Sequence, residues 1–351
     1  MKKHKHGGDV YSYRNCTDFS ANCNPLGTPK SVKEAIRESL EHLAEYPQVG
    51  CGPLKEAIGT YEGVPSEYLI CGNGAAELIF SLCRARTPKK ALILAPTFAE
   101  YEQALESVGC ETEYFYLKEE EGFLLGESYL EAVKDGIDMI FLCNPNNPTG
   151  ILTNRDLLEK ILDICRKKKI LMAVDECFLD FVIQPETFTL KGLLAENKNL
   201  VLLKAFTKRY AMAGVRLGYA MCADKELLET MERMTQPWNV STMAQAAGIA
   251  ALGEYAYVQE GRKLVFAEAA YLKEELRRLG LTIFSSEANY IFFRGPQTLF
   301  ADCVKKGLLI RDCSNYPGLT AGYFRIAVRQ HEDNKKLIRA LEDILSGTDR
   351  V

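Results

Sequence analysis

The strongest constraint on this chain is an alternation that runs from residue 68 to residue 219. Apolar runs at 68–71, 91–95, 139–143, 170–174 and 199–206 read as buried strands, and 113–117 alternates aromatic with polar residues. Apolar residues at helical spacing follow GNGAAE to about 83, run on from 98 through 108, and resume from about 154. Strands separated by helices predict an α/β fold, with a mostly parallel sheet covered on both faces. In this reading 199–206 is the last strand of the series. Ligands of such sheets bind beyond the carboxyl ends of the strands. Five unusual sequences fall at such ends: GNGAAE at 72–77, Phe98, Asn147 within NPNNPTG, Asp175 and Lys208. Core packing does not account for that shared placement.

Each of these sequences suits one kind of chemistry. A lysine just past a buried strand, as Lys208 is, sits where desolvation lowers its pKa and frees the amine as a nucleophile. Such an amine forms Schiff bases with carbonyl compounds. Arg216, eight residues on, offers a planar fork of donors for a phosphate. Asp175 follows four apolar residues, where a carboxylate is costly unless paired. A protonated pyridine nitrogen would pair with it; capping the next segment is the alternative. In NPNNPTG two prolines and a glycine restrict the loop, and Asn147 can present its amide to a ring hydroxyl. Phe98 can cover a flat ring or simply fill core. GNGAAE enters a helix whose free N–H groups suit a phosphate, although alone it reads equally as a tight turn. Glu77 takes the third-glycine position of a dinucleotide fingerprint, which argues against nicotinamide binding. Arg311 and Arg325 end or lie in apolar runs, where arginines meet anions or form surface ion pairs. His6, followed by Gly7 and Gly8, reads as an acid, a base, a phosphate ligand or a tail residue.

Composition removes several classes. The 351 residues carry a net charge of −4 with both signs interspersed, so nothing favours nucleic acid. No apolar run approaches the roughly 18 residues of a membrane span. The start, MKKHKHGGDVYSYR, has no apolar stretch and is not read as a secretory signal. Twelve cysteines without a CxxC pair suggest reduced thiols in a cytoplasmic protein. Neither they nor the four histidines show zinc spacing, so no metal site is expected.

The flanks complete the outline. Helices are expected at 31–43, with Ser31 as cap, and at 53–61. After 237 come helices at 241–252 and 257–279 and strands at 281–285 and 290–293. A helix at 298–306, strands at 308–311 and 323–328, and a final helix at 331–345 follow. This predicts a large domain over 26–240. A smaller α+β domain is formed by 1–25, an N-terminal arm, with 241–351.

Together these residues resemble the pyridoxal-phosphate (PLP)-dependent enzymes of fold type I in the class I and II aminotransferase group. The resemblance covers nearly the whole chain. It implies that Lys208 carries the cofactor and Asp175 holds its pyridine nitrogen. Asn147 would bond the ring oxygen and Phe98 would stack on the ring. Gly74, Ala75, Ala76, Thr207 and Arg216 would hold the cofactor phosphate. Tyr46, in EYP, is similar to a family tyrosine that reaches the phosphate in a neighbouring subunit, which implies a homodimer with shared sites. Two positions depart from the family pattern. Ala205 replaces the hydroxyl residue three before the lysine, and Phe178 the tyrosine three after the aspartate. HGGD, DFSANCNPLG, TFAEY, DECFLDF, LLIRDCSNYPGL and YFRIAVR are similar to the branch that acts on phosphorylated amino compounds. That branch implies decarboxylation of O-phospho-L-threonine in the cobalamin nucleotide-loop pathway. Transamination of histidinol phosphate and decarboxylation of phosphoserine are the alternatives. His6, Gly7, Asn22, Asn147, Arg311 and Arg325 would then bind the substrate.

Overall fold

The computed structural model describes residues 6–347. The charged start at 1–5, with His4, lies outside the described residues, as do 348–351. In chain order the helices and strands begin with β1 (Thr17–Asp18), α1 (Lys30–Ser39), α2 (Gly52–Glu62), β2 (Leu69–Gly72) and α3 (Ala75–Arg86). They continue with β3 (Lys90–Ala95), α4 (Ala99–Glu106), β4 (Glu111–Tyr116), α5 (Tyr129–Ala132), β5 (Met139–Cys143) and α6 (Arg155–Lys168). Next are β6 (Leu171–Asp175), β7 (Leu200–Ala205), α7 (Phe206–Arg209), β8 (Gly218–Met221), α8 (Lys225–Arg233), α9 (Thr242–Leu252) and α10 (Tyr255–Arg278). The chain closes with β9 (Thr282–Ile283), β10 (Tyr290–Arg294), α11 (Leu299–Lys305), β11 (Leu308–Leu309), β12 (Arg311–Asp312), β13 (Tyr323–Ala327) and α12 (His331–Ser346).

Seven strands form the central sheet in the order β2-β8-β7-β6-β5-β3-β4. The five from β7 to β4 are parallel. Strand alternation sends successive side chains to opposite faces, and both faces are buried here. Ile140, Leu142, Met172, Val174, Leu200 and Leu202 enter one core, under α6 and α9. Met139, Phe141, Leu171, Ala173, Val201 and Leu203 enter the other, under α3, α4 and α8. The strands therefore read as unbroken apolar runs in the sequence.

β8 departs from the expectation that 199–206 ends the series. It pairs antiparallel with both β7 and β2. β2 thus runs parallel to β7, and both end on the same rim. Only four residues long and opened by Gly218, β8 has too little pattern to be seen in sequence. Gly218 is required there, because a Cβ would stand 2.5 Å from Ala75 N.

The C-terminal part builds a four-stranded antiparallel sheet in the order β12-β13-β10-β9. The expected strand at 308–311 is broken in two, because it serves two partners. Leu308 and Leu309 pair with β1, whereas Arg311 and Asp312 pair with β13. The pairing of β1 with β11 and the bond from Ala327 N to Phe19 O (2.7 Å) seat residues 17–19 on this sheet. Asn154 and Ser241 cap α6 and α9. Ser31 does not cap α1: the cap position is Pro29, and the Ser31 hydroxyl donates to Glu254. Among the described residues no helix is long and apolar enough to cross a membrane.

Candidate active site

The carboxyl rim of the parallel strands opens on a cavity of about 550 Å³. Asp175, the last residue of β6, is buried on the face of Leu171 and Ala173. Tyr101 Oη donates to its Oδ2 at 2.8 Å and Cys177 N to its Oδ1 at 2.9 Å. Burial nevertheless raises its carboxyl above the ordinary range, since its donors are neutral. Among the described residues the Asp175 carboxylate thus has no cationic partner. Tyr101 stacks on Phe141 (centroids 4.8 Å apart) and meets Phe98 edge-on at 5.5 Å. Burial keeps the Tyr101 hydroxyl protonated, hence a donor.

Lys208 sits in α7, the single helical turn that follows β7. Its Nζ lies 5.8 Å from the centre of the Phe178 ring. Beside it the α3 N-terminus, with Ala75 and Ala76, faces the cavity together with Thr207, Ala205 and Arg216. Gly74, the cap residue, takes φ +81°, and a Cβ there would stand 2.3 Å from the Arg216 guanidinium. Glu77 ties the turn by accepting from Asn73 N (2.7 Å) and Asn239 Nδ2 (2.6 Å). Backbone N–H groups and a guanidinium close together make an anion cradle.

The 144–150 loop is pinned by its own asparagines. Asn146 Nδ2 donates to Pro96 O and Thr149 Oγ1, both at 3.0 Å, and Tyr290 Oη donates to Asn146 O at 2.8 Å. Asn147 is left to face the cavity. Its Oδ1 accepts from Arg325, so its Nδ2 remains the donor.

Arg311 and Arg325 are directly opposite each other across β12 and β13, and both are buried. Like charges in such a pair repel. Arg325 also donates to Ser20 O at 2.9 Å and stacks on Tyr290 at 5.1 Å, while its buried Nε meets no acceptor among the described residues. Arg311 donates to Asn315 Oδ1 at 2.9 Å and lies 5.3 Å from the Tyr316 ring centre.

The N-terminal arm completes the wall. Gly8 N donates to Ser20 Oγ at 2.7 Å, and a Cβ on Gly7 would stand 2.5 Å from Ser20 O. His6, Gly7 and Asn22 all line the cavity. Asn22 Nδ2 is buried without a partner among the described residues.

Of the residues expected from sequence, all but two line this one cavity. Gly74 stands directly behind it. Tyr46 does not reach it: its side chain is 78% exposed and stacked on Trp238, with centroids 4.4 Å apart. Sequence reasoning missed Tyr101, three residues beyond Phe98, although helical spacing from a strand end was its signal. It also missed a buried charge cluster behind the site. Lys204 Nζ lies 3.6 Å from both Glu62 and Glu176, Arg209 lies 2.5 Å from Asp180, and Lys191 lies 2.9 Å from Glu62.

Residues 14–341 match the family model for aminotransferase class I and II. The chain is 38% identical to the threonine-phosphate decarboxylase of Salmonella typhimurium strain LT2, covering 94% of this chain and 91% of that one. It is 34% identical to a histidinol-phosphate aminotransferase of Desulfitobacterium hafniense strain DCB-2, covering 95% and 93%. The crystal structure of the histidinol-phosphate aminotransferase from Clostridium acetobutylicum superposes with a TM-score of 0.88 at 30% identity, covering 94% and 99%.

Proposed function

The chain belongs to the aminotransferase class I and II family, and from that premise we propose that it decarboxylates O-phospho-L-threonine. The product is (R)-1-aminopropan-2-ol O-phosphate, destined for cobalamin nucleotide-loop assembly as the sequence resemblance implies. The family is PLP-dependent, and the residues present suit that cofactor. A cradle from which Gly74 and Gly218 exclude any Cβ fits a phosphate. A buried Asp175 with neutral donors only fits a protonated ring nitrogen.

In this reading Lys208 carries the cofactor and Asp175 faces its ring nitrogen. Asn147 donates to its ring oxygen, and Phe98 supplies a flat apolar face. Gly74, Ala75, Ala76, Thr207 and Arg216 hold its phosphate. Bound there, PLP supplies an electron-withdrawing ring that accepts the electron pair left when a bond to the substrate Cα breaks.

The choice of bond falls to the chain's own residues. The carrying observation is the opposed, buried pair Arg311 and Arg325. A substrate with two anionic groups, carboxylate and phosphate, relieves the repulsion at both. Hydrogen bonds to charged groups contribute about 1.5–3 kcal/mol each, enough to select one rotamer about Cα. His6, Gly7, Asn22 and Asn147 complete the substrate wall. After loss of CO₂ a proton must reach Cα, and the Lys208 amine is the group suited to deliver it. Phe178 packs on Tyr290 and brings no hydroxyl near the lysine.

We also propose a cytoplasmic homodimer in which Tyr46 reaches the cofactor phosphate of the second copy. Its exposure, with that of Leu43, Val49 and Trp238, supports this.

The test is product analysis with O-phospho-L-threonine, with and without 2-oxoglutarate. CO₂ and the amino alcohol phosphate are expected in equal amounts. A keto acid as main product would instead favour the aminotransferase reading, for which the 34% identity to a histidinol-phosphate aminotransferase speaks. Phosphoserine differs by one methyl, worth about 1–3 kcal/mol of discrimination, so it should react more slowly.

A further inference from the structure

Glu100 has no part in the roles assigned so far. It stands in the first turn of α4, lines the cavity, and has a side chain only 15% exposed. Its Oε1 is 3.2 Å from His6 Nδ1. Its Oε2 is buried without a hydrogen-bond partner among the described residues. A carboxylate in such a place is costly unless it is paired. Across from it the arm that carries His6 is seated by Gly7 and Gly8 against Ser20, with Arg325 behind Gly7. The cavity these groups border already contains the opposed arginines.

We propose that Glu100 is a positioning residue for phosphate recognition: it accepts from His6 Nδ1–H and so leaves Nε2–H as the donor to a phosphate ester in the cavity. This rests on the reading that the substrate is phosphorylated. A neutral imidazole has one donor and one acceptor nitrogen, whereas the protonated ring has two donors. A phosphate ester has only acceptors to offer once ionised. Holding the ring protonated is therefore what makes His6 a phosphate ligand. The groups that face His6 are Glu100 from α4 and Arg311 from β12. The hydrogen bond to Glu100 is the largest influence and raises the His6 titration, against opposition from burial and from the Arg311 charge. With Glu100 in place the arm supplies a third cation, alongside Arg311 and Arg325, and does so conditionally on pH.

The test uses the PLP-loaded enzyme and its Glu100→Gln and Glu100→Asp variants. Glutamine keeps the shape and aspartate keeps the charge. Only four histidines are present, so the His6 imidazole signal can be assigned by NMR with a His6→Asn control. In Glu100→Gln the His6 midpoint should fall. The dissociation constant of O-phospho-L-threonine should then rise severalfold at pH 8 and much less at pH 6. That of L-threonine should not change. Glu100→Asp should recover part of both effects. An unmoved midpoint in a folded Glu100→Gln enzyme overturns the proposal. So does a lowered midpoint with phosphothreonine binding intact. If the unaltered enzyme binds phosphothreonine no better than threonine, the substrate reading fails. A midpoint shift in that same protein would still support the pairing of Glu100 with His6.

Discussion

Asp175 and Glu176 are consecutive residues whose side chains turn to opposite faces of the central sheet. The first accepts from Tyr101 at 2.8 Å in the cavity, and the second lies 3.6 Å from Lys204 behind it. Strand alternation makes this division. Asp175 continues the face of Leu171 and Ala173, and Glu176 that of Met172 and Val174. On β7, Lys204 continues the face of Leu200 and Leu202, so it meets Glu176 and not the cavity. Chemistry thus occupies one side of the strand ends and an ion cluster the other.

Breaking the cluster should be costly. Burial raises the Glu62 carboxyl, but Lys204, Arg209 and Lys191 outweigh it and hold the group below the ordinary range. Tyr219 Oη donates to it at 2.5 Å. A carboxyl with a depressed folded pKa contributes stability that is present above its unfolded pKa and lost as pH falls toward the folded value. Glu62→Gln should cost about 3–5 kcal/mol at pH 7, because it leaves buried cations short of a partner. The difference from the unaltered chain should narrow as pH falls below about 4. Urea unfolding at several pH values measures both.

Asp175 has the opposite sign. Its carboxyl is raised by burial, so the folded chain without cofactor holds a proton that the unfolded chain releases. Stability of that form should fall as pH rises from the unfolded carboxylate range through the raised pKa. A ring cation opposite Asp175 removes the penalty. The gain in melting temperature on adding PLP should therefore increase as pH rises above about 4. Asp175→Asn should abolish that increase and lower kcat about a hundredfold or more.

Tyr101→Phe removes one of the donors to Asp175. The carboxylate form is then less favoured, and the acid limb of the pH–rate profile should move to higher pH. A lost hydrogen bond to a charged group costs about 1.5–3 kcal/mol, so kcat/KM should fall about ten- to a hundredfold. An unmoved acid limb would show that Asp175 is not the ionisation seen in the profile.

Gly218→Ala places a Cβ 2.5 Å from Ala75 N in the cradle. Overpacking of this kind costs about 1–3 kcal/mol. The dissociation constant for PLP should rise about tenfold, read by equilibrium dialysis. Gly214, whose added Cβ would meet nothing within 4 Å among the described residues, is the control position.

Much of this site was legible in sequence because it follows from strand direction. Each parallel strand is an unbroken apolar run, so its carboxyl end is visible, and Phe98, Asn147, Asp175 and Lys208 follow such ends. What stayed hidden depends on contacts between distant segments. β8 is four residues opened by a glycine, and its place between β2 and β7 is settled by pairing alone. The facing of Arg311 and Arg325 requires a register that no spacing encodes. Lys204 and Arg209 flank Lys208 and look like ordinary surface charges until Glu62 and Asp180 meet them. Glu100 needed the arm, some ninety positions away, to acquire a partner.

The most direct measurement is chemical. The PLP-loaded enzyme is reduced with borohydride, digested and mapped by mass spectrometry, which fixes the cofactor to whichever amine carries it. The account predicts a single pyridoxyl group on Lys208, absent from Lys208→Ala along with all turnover. Label on Lys204 or on any other amine, or turnover retained without Lys208, would contradict it.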